Sequence, residues 1–126
     1  MLASTTVAVA ANTFNKGDVL ATARVAGIQA AKRASELLPM AHPVLVGNVY
    51  VNFTIADAHI DVEAEVDTID RTGVEMEALT AATVAALTIY EMCKSSDRTM
   101  TIERVALWEK SGGRSGTWRR EEPSDE

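Results

Sequence analysis

Residues 44–69 read VLVGNVYVNFTIADAHIDVEAEVDTI, and their pattern decides how the rest of the chain is read. Val49, Val51, Phe53 and Ile55 alternate with Tyr50, Asn52 and Thr54, the period of two that sends successive side chains to opposite faces of a half-buried strand. HIDVEAEVDTI, residues 59–69, alternates in the same way. Only Ala56, Asp57 and Ala58 lie between the two runs, so the spacing predicts an antiparallel hairpin.

Helical sequence flanks the hairpin on both sides. Upstream, residues 15–38 (NKGDVLATARVAGIQAAKRASELL) are rich in alanine, can be capped by Asn15 or Asp18, and stop at Pro39. Downstream, residues 72–96 (TGVEMEALTAATVAALTIYEMCKSS) form a longer run of helix formers, with Thr72 and Glu75 spaced as a capping box. Further out, the β-branched run TTVAVAA (5–11) reads as a first strand and MTIERVALWEK (100–110) as a last one. SGGRSG (111–116) is a loop, and residues 117–126 are a polar, acidic tail. The predicted order is β-α-β-β-α-β, an α+β ferredoxin-like sandwich with two helices on one face of an antiparallel sheet. Residues 1–116 then make one domain, without repeats or a linker. A bare apolar second sheet face would favour self-association.

Composition narrows the function. The chain has 126 residues, 47% hydrophobic and 24% charged, and no apolar run approaches a membrane span. No charge precedes Lys16, so the basic start of a secretory signal is missing, and Cys93 is the single cysteine; both fit a cytoplasmic protein. Cys93 reads as a helix residue rather than a nucleophile. The net charge of −6 argues against nucleic acid as a partner, although EEPSDE at the end holds four of the acids. Against the remaining near-neutral background Lys16, Arg24, Lys32, Arg33, Lys94, Lys110 and Arg114 could converge on a small polyanion.

His42 stands out in LLPMAHPVLV (37–46). A lone histidine in an apolar run is ordinarily a satisfied packing residue, but Pro39 and Pro43 hold this one in a fixed turn at a helix-to-strand junction. In the second helix Glu75 has a structural use as partner of Thr72, whereas Glu77, about 200° further round, has none. Glu91 and Lys94 are spaced i, i+3 and share a face. Glu77 and Glu91 differ by only about 40° in azimuth but by roughly 21 Å in height, so within one chain they cannot touch the same small ligand. If both ends serve one site, a second subunit must bring them together. Lys110 and Arg114 flank glycines whose N–H groups could cradle an anion, yet the P-loop spacing is absent. HExxH, paired CxxC, GxSxG and GxGxxG are also absent, which leaves acid–base chemistry by lysine, histidine and carboxylate.

Four ordered blocks, KGDVLATARVAGIQAAKR, LLPMAHP, TGVEMEALTAATVAALTIYEMCK and EKSGGRSG, resemble the cyclic pyranopterin monophosphate synthase family, the MoaC family of molybdenum cofactor biosynthesis, over residues 16–116. The resemblance implies a cytoplasmic phosphorus–oxygen lyase that converts cyclised dihydro-GTP to cyclic pyranopterin monophosphate and releases pyrophosphate. It implies a ferredoxin-like subunit, a homo-oligomer built as a hexamer (a trimer of dimers), sites at subunit interfaces, and neither nucleic acid nor membrane as a partner. No cofactor is implied, and an accompanying Mg2+ stays open. By motif position, Lys16 and Lys94 are similar to the family's proton-transfer lysines and Glu91 to its acid. Met40, Ala41, His42, Met76 and Glu77 fall on its substrate-binding motifs, with Glu75 beside them. Arg24, Lys32 and Lys110 are similar to residues around the triphosphate.

The family pattern has cysteine where Ala41 stands and aspartate where Glu91 stands, and its N-terminal segment with a DVSAK-like motif is shortened here. These departures keep open an alternative from another class, a catalytically weakened paralogue that binds nucleotide or a protein partner. A generic ferredoxin-like structural module leaves the Lys16 and SGGRSG blocks without a purpose.

Overall fold

The computed structural model describes residues 1–112 and 116–122. In chain order its elements are α1 (Ala3–Ala11), α2 (Val19–Lys32), α3 (Ala34–Leu37), β1 (Val46–Ile55), β2 (Ile60–Thr68), α4 (Glu75–Cys93), β3 (Glu109–Lys110) and β4 (Trp118–Arg119).

β1 and β2 form the expected antiparallel hairpin, in register from Val49 opposite Val66 to Ile55 opposite Ile60. The Ala56 N–H donates to the His59 carbonyl at 2.9 Å and closes the turn. Val49, Val51, Phe53 and Ile55 on β1, with Ile60, Val62 and Ala64 on β2, face the core. α2 and α4 lie side by side against that face, α2 mainly over β1 and α4 mainly over β2. Asp18 caps α2 by accepting from the Ala21 N–H at 3.0 Å. Gly27 sets how closely the helices approach: a Cβ there would stand 3.0 Å from the Ala81 carbonyl oxygen, 3.2 Å from the Ala85 Cβ and 3.2 Å from Val51 Cγ2. Val19, Ala23, Val51, Ala85, Ile89 and Cys93 are buried around this contact. Burial, reinforced by the Asp97 charge, pushes the Cys93 thiol pKa up, which suits a packed residue.

Several expectations need correction. Residues 5–11 are not a strand but most of α1. Thr5, Thr6 and Val9 are its buried positions, a helical spacing, and distant groups hold the element in place. The buried carboxylate of Asp97 accepts from the Leu2 N–H at 2.7 Å and the Thr5 hydroxyl at 3.1 Å, while the Thr6 hydroxyl donates to the Asp57 carbonyl at 2.9 Å. These bonds, the Leu2 N–H first, hold the Asp97 carboxyl below its usual range.

The last strand is also different. Residues 101–108 join no ladder, and only Glu109 and Lys110 pair, with Arg119 and Trp118. The polar tail expected from residue 117 thus contributes a short strand at its start. The second sheet face is not apolar: Asn52, Thr54, Asp61, Glu63, Glu65 and Asp67 are exposed polar residues, which removes the expected apolar drive to self-association from that face. The chain is α+β with antiparallel strands and several helices. Between β2 and residues 100–112 runs an open trough of about 2040 Å³.

Candidate functional site

The predicted residues gather at the two ends of α4. At its C-terminal end, Lys16 from the loop before α2 places its Nζ 3.5 Å from Glu91 Oε1 and 3.4 Å from the Glu91 carbonyl oxygen. Lys94 Nζ lies 3.9 Å from the same Oε1. All three side chains are about half exposed, so one carboxylate holds two ammonium groups at the surface within reach of a ligand.

At the N-terminal end two groups lie on different sides of the helix. The expected capping box does not form, because α4 begins at Glu75 and its cap, Val74, makes no side-chain bond. Glu75 instead packs over Gly73 and pairs with Lys110 from β3. The Lys110 ammonium, working against partial burial, holds the Glu75 carboxyl below the usual carboxylate range. Glu77 points the other way, as the 200° offset requires, into a small hollow of about 80 Å³ with Lys32, Ser35, His42 and Pro43 along its walls. Glu77 is only 5% exposed, and desolvation, with the Glu75 charge adding to it, pushes its carboxyl pKa up.

His42 is exposed in the coil between α3 and β1, after the Ala41 N–H has bonded the Leu38 carbonyl at 3.0 Å. Met40 is 91% exposed and Met76 43%, unusual placements for thioethers that a ligand does not cover. Arg24 joins neither end: its Nε donates to the Val51 carbonyl at 2.8 Å and its guanidinium lies over the Phe53 ring. Arg33 pairs with Glu36 at 3.2 Å. Arg114 lies outside the described residues.

Ser35 in the hollow was missed by sequence reading; its sequence signal was a hydroxyl three residues after Lys32. Also missed was an arginine–tryptophan cluster beside Lys110, with Arg120 over both Trp108 and Trp118, whose signal was a tryptophan on either side of the glycine loop. Among the described residues no three His, Cys, Asp or Glu side chains gather to hold a metal ion, and no helix is long and apolar enough to cross a membrane.

Comparison with known proteins gives the constellation a family. The MoaC family model matches residues 1–113. A cyclic pyranopterin monophosphate synthase of Thermomicrobium roseum is 61% identical over 109 residues, covering 85% of this chain and 66% of the relative. One from Roseiflexus sp. (strain RS-1) is 58% identical over 85% of this chain and 69% of its own length. Cyclic pyranopterin monophosphate synthase 3 of Mycobacterium tuberculosis is 56% identical over 90% and 67%. The chain thus spans about two thirds of the length of these curated relatives. With a matching family model over nearly the whole chain and relatives above half identity, the chain belongs to the MoaC family.

Proposed function

We propose that the chain works as a cyclic pyranopterin monophosphate synthase, a phosphorus–oxygen lyase of the cytoplasm that acts on cyclised dihydro-GTP and releases pyrophosphate. One observation carries the reading: Lys16 and Lys94, from separate elements, converge on the Glu91 carboxylate.

Opening and reclosing the rings takes several proton transfers, and two lysines held by one acid can take and return protons at neighbouring atoms. Attack of a ribose oxygen on the α-phosphorus forms the cyclic phosphate and expels pyrophosphate. Lys32, beside His42 and Glu77, supplies a cation for the charge that develops there, and Lys110, paired with Glu75 on the other side of α4, adds its charge from another subunit. His42 and Glu77 offer a donor and an acceptor to the pterin ring, and exposed Met40 and Met76 offer adaptable apolar cover for its flat faces.

The two ends of α4 are too far apart for a single ligand's reacting atoms, which supports sites shared between subunits of a hexamer built as a trimer of dimers. Exposed Val7, Val25 and Leu87 on three helices suit such contacts. In that assembly the hairpin and helices belong to a ferredoxin-like sandwich. Incubation of the purified protein with cyclised dihydro-GTP should release pyrophosphate; release no greater than from Lys94→Ala refutes the reading.

A further inference from the structure

We propose that Ser35 is a specificity-determining residue of the substrate site: its hydroxyl donates to the carbonyl oxygen of the substrate's guanine-derived ring, while Glu77 accepts from the ring N–H beside that carbonyl. The assignment rests on the synthase reading and adds to it a residue and the atom that it reads. Ser35 lies on α3, whose first residue, Ala34, is buried and seats the short helix against α4. That seating leaves Ser35 half-buried in the wall of the hollow that also holds Glu77. Three other helix hydroxyls, those of Thr22, Thr83 and Thr88, donate to the carbonyl four residues back at 2.7, 2.7 and 2.8 Å, whereas among the described residues Ser35 makes no such bond to Ala31. Its proton is free for a ligand.

The hollow of about 80 Å³ has room for two or three waters at about 30 Å³ each, or for one edge of a ring. Ala31, Ala34, Val44 and Val46 make much of its wall apolar, while Lys32 and His42 are exposed at its rim. Ser35 and Glu77 are therefore its two withdrawn polar side chains. Among the described residues the Glu77 carboxylate takes a hydrogen bond from its own backbone N–H and none from Lys32, Ser35 or His42. A desolvated acceptor and a free donor each cost free energy when left unpaired, so an occupant that satisfies both is selected over one that satisfies only one. A guanine-derived ring carries a carbonyl acceptor, a ring N–H and an amino group in a row along one edge. That row is the complement of a hydroxyl beside a carboxylate.

The test is equilibrium dialysis on the full chain carrying Lys94→Ala, which removes a proton-transfer lysine so that bound ligand is not turned over. Two ligands are compared: cyclised dihydro-GTP, and the same compound with sulfur in place of the ring carbonyl oxygen. Sulfur is a weak acceptor and leaves the ring N–H and the amino group unchanged. Adding Ser35→Ala should weaken the oxygen ligand about tenfold and the sulfur ligand by less than about twofold. Adding Ser35→Thr instead, which keeps the hydroxyl, should retain the preference for oxygen. A residue that only supported α3 would change both affinities alike. Equal loss for the two ligands, no loss for the oxygen ligand, or a threonine variant that behaves as the alanine one overturns the assignment, and leaves the synthase reading standing where the unsubstituted protein releases pyrophosphate. Binding of neither ligand overturns the assignment too, and absence of pyrophosphate release then removes the synthase reading with it.

Discussion

Mixing two inactive variants tests whether the two ends of α4 serve one site. Glu77 and Glu91 are fourteen residues apart on an uninterrupted helix, about 21 Å at 1.5 Å per residue. Reacting groups must come within about 3–3.5 Å of each other, so a complete site takes Lys94 from one subunit and His42, beside Glu77, from another. Lys94→Ala breaks one half of every site and His42→Ala the other half. Co-expressed in equal amounts, half the dimers are mixed, and each mixed dimer has one site with both halves intact and one with both broken. Pyrophosphate release should recover to about a quarter of the unsubstituted protein's rate, the value for random pairing across a two-fold interface. The assay compares the co-expressed protein with each variant alone and with a late mixture of the two purified variants. A co-expressed rate equal to the mean of the two single variants refutes the shared site.

Glu77→Gln should separate stability from activity. Burial raises the Glu77 pKa, so its charged form costs folding stability at high pH, and that cost fades as pH falls through the raised value. Urea unfolding should show the glutamine variant more stable at pH 8 and level with the unsubstituted protein at pH 4, while kcat/KM falls about 10- to 100-fold through the lost charged acceptor. Lower stability at pH 8 would contradict this account. Gly27→Val drives two methyl groups into the Ala81 carbonyl and Ala85, with the first added carbon already at 3.0 Å, and should cost about 1–3 kcal/mol by urea unfolding. An unchanged midpoint would mean that α2 and α4 are not packed this closely.

The hairpin and the two long helices were legible because their information is local. Period-two alternation set the inward residues of β1 and β2, and Asp18 followed by an alanine-rich run set the start of α2. α1 was not legible, since Thr5, Thr6, Val7 and Val9 favour a strand by local preference. What overrides that preference is Asp97, which takes the Leu2 N–H from 95 residues away. The last strand failed for the opposite reason: residues 101–108 carry strand character, but a ladder needs a neighbouring edge. In the site, Glu91 and Lys94 could be paired by spacing, whereas Lys16 meets Glu91 across 75 residues, and only the ordered family blocks placed it there. The capping box misled because Thr72 and Glu75 have the right spacing outside the helix, which starts at Glu75 itself.

The two substitutions among the departures from the family pattern, Glu91 and Ala41, weigh differently once the geometry is known. Glu91 Oε1 stands 3.5 Å from Lys16 Nζ and 3.9 Å from Lys94 Nζ. An aspartate on the same backbone would end one methylene short, and the two half-exposed lysines would have to follow it. Glu91 reaches both ammonium groups in this structure, so glutamate at this position is compatible with the placement of its partners. Ala41 contributes to the turn through its backbone N–H, bonded to the Leu38 carbonyl, so the turn that presents His42 does not depend on a thiol. The Glu91–Lys94 pair has the ordinary i, i+3 spacing of an exposed helix, but Lys16 comes to the same carboxylate from the loop before α2, and surface ion pairs of this kind contribute little to stability. The convergence of Lys16 and Lys94 on Glu91 is what the proposed synthase reading requires of this end of α4, and the turnover of Glu91→Asp against the unsubstituted protein decides between it and a weakened paralogue.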